Sequence, residues 1–210
     1  DWPVIGLERT TTRWTVTLNR PAKANSLTRA MLDELEAIFA DAAQSDVPVL
    51  VLTGAGKVFS AGADLDEAKA GLATDGVWER VSGRLAGLNC LTVAALNGTL
   101  AGGAFGMALA CDMRIAVPGA KFFYPVMQLG YLPQPSDPGR LVALVGPARA
   151  KMILLGAAKL TAEEAFAFGL IDRIVPGADL PGAVDSLVAA AETGDAGVRV
   201  AIKGMCRTDG

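Results

Sequence analysis

Residues 91–110 read Leu-Thr-Val-Ala-Ala-Leu-Asn-Gly-Thr-Leu-Ala-Gly-Gly-Ala-Phe-Gly-Met-Ala-Leu-Ala. They sit inside a 27-residue stretch, 85–111, that carries no charged side chain and is long enough to cross a bilayer. It even contains Gly98-x-x-x-Gly102 and Gly102-x-x-x-Gly106, the spacing of helix-dimer faces in membranes. The internal order of the letters argues otherwise. Asn89 and Asn97 flank the β-branched and small apolar run 91–96, and the glycines cluster instead of spreading. A buried strand over 91–96, a glycine-rich turn and a short apolar helix over 102–110 account for the same residues without a membrane.

Working outward, the same grammar recurs. Val47-Pro-Val-Leu-Val-Leu52 is an apolar run that ends in Thr53-Gly54, the pattern of a buried parallel strand, and 113–116 repeats it. Residues 5–8 and 14–18 are short strands. Trp14-Thr-Val-Thr-Leu18 alternates with one apolar face. Helices are expected from an N-cap at Ser26 to about Ala43, with Met31, Leu32, Leu35 and Ile38 on one face, and over 75–88. Further helices are expected over 138–144, 148–155, 161–168 and 181–192. Thr161-x-x-Glu164 supplies a capping-box pattern. Residues 54–66 read as a glycine-rich loop. Strands alternating with helices give an α/β fold. We divide it into a core over 1–176 and a short helical C-terminal region over 177–210.

Composition removes whole classes of chemistry. The chain has 210 residues, 51% of them apolar, and 19 basic against 22 acidic side chains for a net charge of −3. No basic excess exists to neutralise phosphates, so nucleic acid is not an expected partner. There is no histidine. That excludes Ser-His-Asp triads and Cys-His dyads, and no metal site is expected. Cys90, Cys111 and Cys206 are widely spaced and odd in number, which fits a reducing, cytoplasmic setting. Gly54-Ala-Gly56 lacks the third glycine of a dinucleotide fingerprint, because Phe59 stands there, and Gly56-Lys57 is followed by Val58 instead of Ser or Thr. Neither motif is read as a phosphate site.

Four segments, in order, resemble the crotonase (enoyl-CoA hydratase/isomerase) superfamily. They are Leu18-Asn-Arg-Pro-Ala-Lys-Ala-Asn-Ser-Leu27, Phe59-Ser-Ala-Gly-Ala-Asp-Leu65, 97–106 with Ala110-Cys-Asp112, and Leu160-Thr-Ala-Glu-Glu-Ala-Phe-Ala-Phe-Gly-Leu-Ile-Asp172. The resemblance implies a spiral of ββα turns, a homotrimer or dimer of trimers, and an acyl-CoA thioester as substrate, with coenzyme A part of that substrate and no separate cofactor. It implies that the N–H groups of Ala63 and Gly103 form an oxyanion hole. Ala22, Lys23, Ala24, Ala61, Asp64 and Leu65 then match the segments that hold the CoA moiety. Lys23 is either a point charge for a CoA phosphate or a solvated lysine.

Hydratases of this family use two glutamates, and the matching positions here are Gly106 and Val126. Neither can transfer a proton. Asp137 is the candidate replacement, expected to be desolvated beside Val126 and Leu132 and so suited to proton transfer near neutrality. Ser136-Asp137-Pro138-Gly139 is also an ordinary helix start, and capping by Asp137 is the reading placed first. Three functions stay open at this point: a hydratase or isomerase with a relocated carboxylate, a decarboxylase or related lyase, and a non-catalytic acyl-CoA binder.

Overall fold

The computed structural model describes residues 3–207. The strands are β1 (Ile5–Arg9), β2 (Arg13–Leu18), β3 (Val49–Gly54), β4 (Val58–Ser60), β5 (Leu91–Leu96), β6 (Thr99–Ala101), β7 (Met113–Ala116), β8 (Lys121–Phe123), β9 (Leu160–Thr161) and β10 (Arg173–Ile174). The helices are α1 (Arg29–Ala43), α2 (Leu65–Lys69), α3 (Val77–Ala86), α4 (Phe105–Ala110), α5 (Val126–Leu129), α6 (Asp137–Val145), α7 (Pro147–Leu154), α8 (Ala162–Phe168), α9 (Leu180–Thr193) and α10 (Ala196–Met205).

A six-stranded sheet runs β1-β2-β3-β5-β7-β10 and a four-stranded sheet runs β4-β6-β8-β9. Successive strands alternate between the two: β3 then β4, β5 then β6, β7 then β8. A helical segment closes each turn. This is the ββα spiral expected from the resemblance. Within the large sheet, β2, β3, β5, β7 and β10 are parallel, and β1 pairs antiparallel with β2 in the register Ile5↔Leu18.

The apolar letters explain the layers. Trp14, Val16 and Leu18 alternate inward from β2 and are buried against Met31, Leu32, Leu35 and Phe39 of α1. The continuous apolar runs of β3 and β5 are buried on both faces. Their other side packs Val49, Val51, Val93 and Ala95 against Leu180, Val184 and Val188 of α9. The helix after residue 176 therefore covers the second face of the large sheet. The 27-residue uncharged stretch becomes the end of α3, β5, β6, a 3₁₀ turn over Gly102–Ala104 and α4. Among the described residues no helix is long and apolar enough to cross a membrane.

Some boundaries differ from expectation. Thr28, not Ser26, is the N-cap of α1, its side chain accepting from the Met31 amide at 3.2 Å. Ser26 instead accepts from Arg20 Nη1. Residues 54–66 are not all loop, because β4 lies inside them. Three-residue strands such as β4, β6 and β8 leave too short a periodicity to read. The Thr161 capping box is present with both of its hydrogen bonds. Of the proposed division, residues 1–2 and 208–210 lie outside the described residues.

Candidate active site

β4 and β6 run parallel, pairing Val58↔Thr99 and Ser60↔Leu100. The chain leaves both strands at the same end, so residues 61–64 and the turn Gly102–Ala104 lie side by side. Gly62 makes the approach possible. Its φ is +93°, and a Cβ there would lie 3.0 Å from the Ala101 carbonyl oxygen and 3.4 Å from the Gly103 nitrogen. Buried Ser60 locks the exit, its hydroxyl donating to the Asn25 carbonyl at 2.8 Å and accepting from the Gly62 amide at 3.2 Å.

The direction of the Ala63 amide follows from its neighbours. Leu27 N–H donates to Gly62 O at 2.8 Å, and Asp64 N–H donates to Leu27 O at 2.9 Å. This is a parallel bridge in which residues 62 and 64 face Leu27, so Ala63 N–H points away from it. Gly103 is the second residue of a helical turn, where an N–H has no intrahelical acceptor. Among the described residues neither amide is matched with an acceptor. Both residues line one cavity of about 160 Å³. Two N–H groups at one cavity can serve a single ligand oxygen.

The rest of that cavity is apolar. Leu65, Trp78, Phe123, Val126, Leu129 and Tyr124 contribute to its walls. Trp78 sets the floor: its ring carbons would lie 3.1–3.2 Å from a Cβ on Gly103. Its indole N–H donates to Leu72 O at 2.8 Å, which fixes the ring plane. A space of this size accepts a six-membered ring or a short acyl chain. Trp78 carries no sequence pattern of its own beyond one face of α3, so its contact with Gly103 is a tertiary fact.

The residues predicted for CoA fall in two groups. Ala61 and Leu65 line the cavity, Leu65 lying 77% exposed at its rim. Ala22 and Lys23 are exposed in the 3₁₀ turn Pro21–Lys23, and Ala24, at φ 51°, accepts from the Ala61 amide at 3.0 Å. The segment 22–24 thus borders the loop 61–65 without entering the cavity. Asp64 has a structural commitment. Its carboxylate accepts from Arg20 Nη1 at 2.9 Å and from the Asp66 and Glu67 amides at 3.1 Å, capping α2. Arg20, helped by those amides, holds its pKa below the usual carboxylate value. Any ligand contact by Asp64 must therefore use the backbone.

Asp137 is not a cap; it is desolvated as expected, but Leu132 is not what desolvates it. Ser136 occupies the N-cap position of α6 and turns its hydroxyl to Glu79, with its own amide donating to Glu79 Oε2 at 3.2 Å. Asp137 is 1% exposed, whereas Leu132, its expected neighbour, is 89% exposed. Its carboxylate instead meets Tyr124, whose hydroxyl donates to Oδ2 at 2.8 Å. Asp137 Oδ1 is buried with no hydrogen-bond partner. Burial pushes its pKa up to about 6, opposed by the Tyr124 hydrogen bond and by Arg140 and reinforced by Glu79.

A Cβ on Gly106 would lie 3.1 Å from that Oδ1. The carboxylate of α6 therefore abuts the position on α4 where a side chain is missing. Tyr124 is held by Phe105, ring centroids 5.2 Å apart, and its phenol is pushed well above its usual pKa, mainly by burial. The thiols of Cys90 and Cys111 are also raised by burial, to about 11 and about 12, which leaves them as core residues and not nucleophiles.

The sequence profile of the enoyl-CoA hydratase/isomerase family matches residues 9–206. A short-chain-enoyl-CoA hydratase of Clostridium acetobutylicum is 36% identical over 172 residues, covering 79% of this chain and 66% of that protein. A 4-chlorobenzoyl coenzyme A dehalogenase of Arthrobacter sp is 34% identical over 193 residues, covering 87% of this chain and 70% of the relative. The chain thus spans about two thirds of the length of these relatives. Among solved structures, an enoyl-CoA hydratase from Bacillus anthracis superposes with a TM-score of 0.89 at 30% identity, covering 97% of this chain and 82% of that one.

Proposed function

The chain belongs to the enoyl-CoA hydratase/isomerase family, and from that membership we propose that it binds an acyl-CoA thioester and stabilises the enolate or oxyanion of its carbonyl with the N–H groups of Ala63 and Gly103. The observation that carries this reading is the pair of unmatched amides on residues that line one small, mostly apolar cavity. Donors of this kind contribute about 2.7–4 kcal/mol each to a developing oxyanion. The CoA moiety lies along residues 22–24 and 61–65, contacting mostly backbone, and Lys23 meets a phosphate at the solvent edge. No separate cofactor is invoked.

The acyl group enters the space floored by Trp78, so short or ring-sized acyl groups are preferred. Exposed Val198, Ile202 and Met205, at i, i+4 and i+7 on one face of α10, support a homotrimer or dimer of trimers in which that face is covered. Three free thiols fit a cytoplasmic setting.

Gly106 and Val126 leave the two usual hydratase positions without carboxylates, and this favours a second reading as a decarboxylase, related lyase or non-catalytic binder. A panel of acyl-CoA thioesters followed by mass spectrometry, beside calorimetry, separates these. Conversion of an enoyl-CoA supports hydratase or isomerase chemistry. Loss of CO₂ supports the decarboxylase, and binding without conversion supports the binder. The free acid should bind far more weakly than its CoA ester. Equal affinity for the two refutes thioester recognition. A monomer by light scattering at micromolar concentration refutes the oligomer.

A further inference from the structure

We propose, resting on the thioester reading above, that Tyr124 is the catalytic residue that exchanges a proton with the bound acyl group, and that Asp137 behind it is the positioning residue that stores the proton. The placement of the two side chains carries this. Tyr124 lines the cavity with Ala63, Gly103 and Val126, and Asp137 does not. Between them lies one hydrogen bond of 2.8 Å, and the Gln134 amide donates to the same phenol oxygen at 3.3 Å. The phenol therefore stands between the substrate space and a buried carboxylate.

The carboxylate is not in the state a purely structural partner would take. Oδ1 has no donor although it is buried, and leaving a buried polar group unmatched is destabilising. A phenylalanine and an apolar residue would fill the same volume without that cost. The groups that face Asp137 are Tyr124 on the segment after β8, Glu79 and Ser82 on α3, Gly106 on α4, and Arg140 on its own helix. Arg140 Nη1 is turned to Ser82 Oγ at 3.3 Å, so no cation seats directly on the carboxylate. Desolvation thus places its pKa at about 6, where protonated and ionised forms interconvert near neutrality. Tyr124, raised by the same burial, does not ionise in that range and acts as a relay.

The step balances with one proton. An α-C–H bond of the thioester breaks, and its electron pair becomes the enolate, whose oxygen is held by the Ala63 and Gly103 N–H groups. The carbon-bound proton passes to Tyr124 Oη as the phenolic proton passes to Asp137 Oδ2. The reverse delivers a proton to carbon. Only one such chain reaches the cavity among the described residues. The reaction class is therefore proton transfer at carbon, and not the two-carboxylate placement of water. The side chain missing at Gly106 is part of the arrangement, because it leaves room for a carboxylate delivered from α6.

The test is deuterium uptake from D₂O into the α-position of butyryl-CoA and phenylacetyl-CoA, with binding of each followed by calorimetry. Wild-type protein should exchange at least one of them, at a rate that rises with pH through about 6 and then levels. Tyr124→Phe and Asp137→Asn should each lower the rate by on the order of 10²-fold or more, with thioester affinity unchanged. Asp137→Asn should also lose the inflection near pH 6, which a merely structural role would not move. Binding without exchange by wild type overturns the proposal, as does wild-type exchange by Tyr124→Phe. Should the variants fail to fold, the wild-type profile decides, and a rate flat between pH 5 and 7 overturns it. Failure of both thioesters to bind overturns the thioester reading itself and this proposal with it.

Discussion

On one wall of the cavity Ala63 and Gly103 offer backbone amides from turns that follow β4 and β6; on the other, Tyr124 and Asp137 offer side chains from the segment after β8 and the start of α6. The first wall is positioned by sheet register, by Ser60 and by Gly62. Its groups are neutral, and their direction is dictated by the bridge to Leu27. The second wall is positioned by packing across α3, α4 and α6. Its acid strength is dictated by burial. Backbone donors tolerate drift in surrounding side chains as long as the turns keep their path. A side-chain proton carrier changes with each neighbour. In the function proposed above, the thioester-polarising half of the site is backbone and the proton-handling half is side chain, so the second can move to new residues while the first is kept.

The comparison can be broken most sharply at Gly103. Gly103→Pro removes the N–H and drives a ring into Trp78. Turnover or α-exchange should fall by on the order of 10²–10³-fold. A folded variant with full activity shows that the first wall is not made of this amide.

The second wall should announce itself in stability against pH. Asp137 is raised from 3.8 to about 6 in the folded state. The folded chain therefore binds a proton in this window that the unfolded chain releases. Its contribution is fully present below about pH 4 and is lost as pH rises through about 6, amounting to roughly 2–3 kcal/mol. Urea titrations across pH 4–7 should show that fall, and Asp137→Asn should remove it. A flat wild-type profile would place the carboxylate in a far more solvated setting.

Gly106→Ala probes the coupling between α4 and α6. The added methyl group meets Asp137 Oδ1 at 3.1 Å, and that oxygen cannot retreat freely because Oδ2 is bound to Tyr124. Destabilisation of about 1–3 kcal/mol is expected. In an Asp137→Ala background the cost should shrink, giving a measurable interaction energy in a double-mutant cycle. Additive effects would mean that the two positions do not share space.

The smallest effect belongs to the solvent edge of the first wall. Lys23→Ala should weaken CoA-ester binding by about 0.5–1 kcal/mol, and less at high salt, because an exposed cation contributes little and is screened. Calorimetry at two ionic strengths checks it. An unchanged affinity leaves Lys23 as a solvated side chain.

Through the family resemblance, the first wall was largely visible in the sequence. Ala61-Gly-Ala-Asp64 and Gly102-Gly103 are short-range motifs. Small residues there directly permit the close backbone approach that the structure contains. Asn25 and Asn97 were visible only as turn residues. In the fold their amides both donate to the Val58 carbonyl and tie 54–58 in place. The second wall was half visible. Asp137 stood out as a carboxylate close after Val126, but its helix-start sequence pointed first to capping. Only the turning of Ser136 toward Glu79, 57 residues away in the chain, and the bond from Tyr124 to the carboxylate show that Asp137 does not cap. The one local signal for the pair was the bare Gly106.

By itself the sequence determined the α/β class, the buried strands β3, β5 and β7 and the absence of histidine chemistry. Each of these follows from composition or from patterns a few residues long, which local sterics and hydrophobic periodicity translate directly into structure. Tertiary structure alone decided that Trp78 floors the cavity, that Tyr124 stands between it and Asp137, and which neighbours surround the carboxylate. Desolvation and contact between distant segments depend on how α3, α4 and α6 pack, and no short stretch of the chain encodes that.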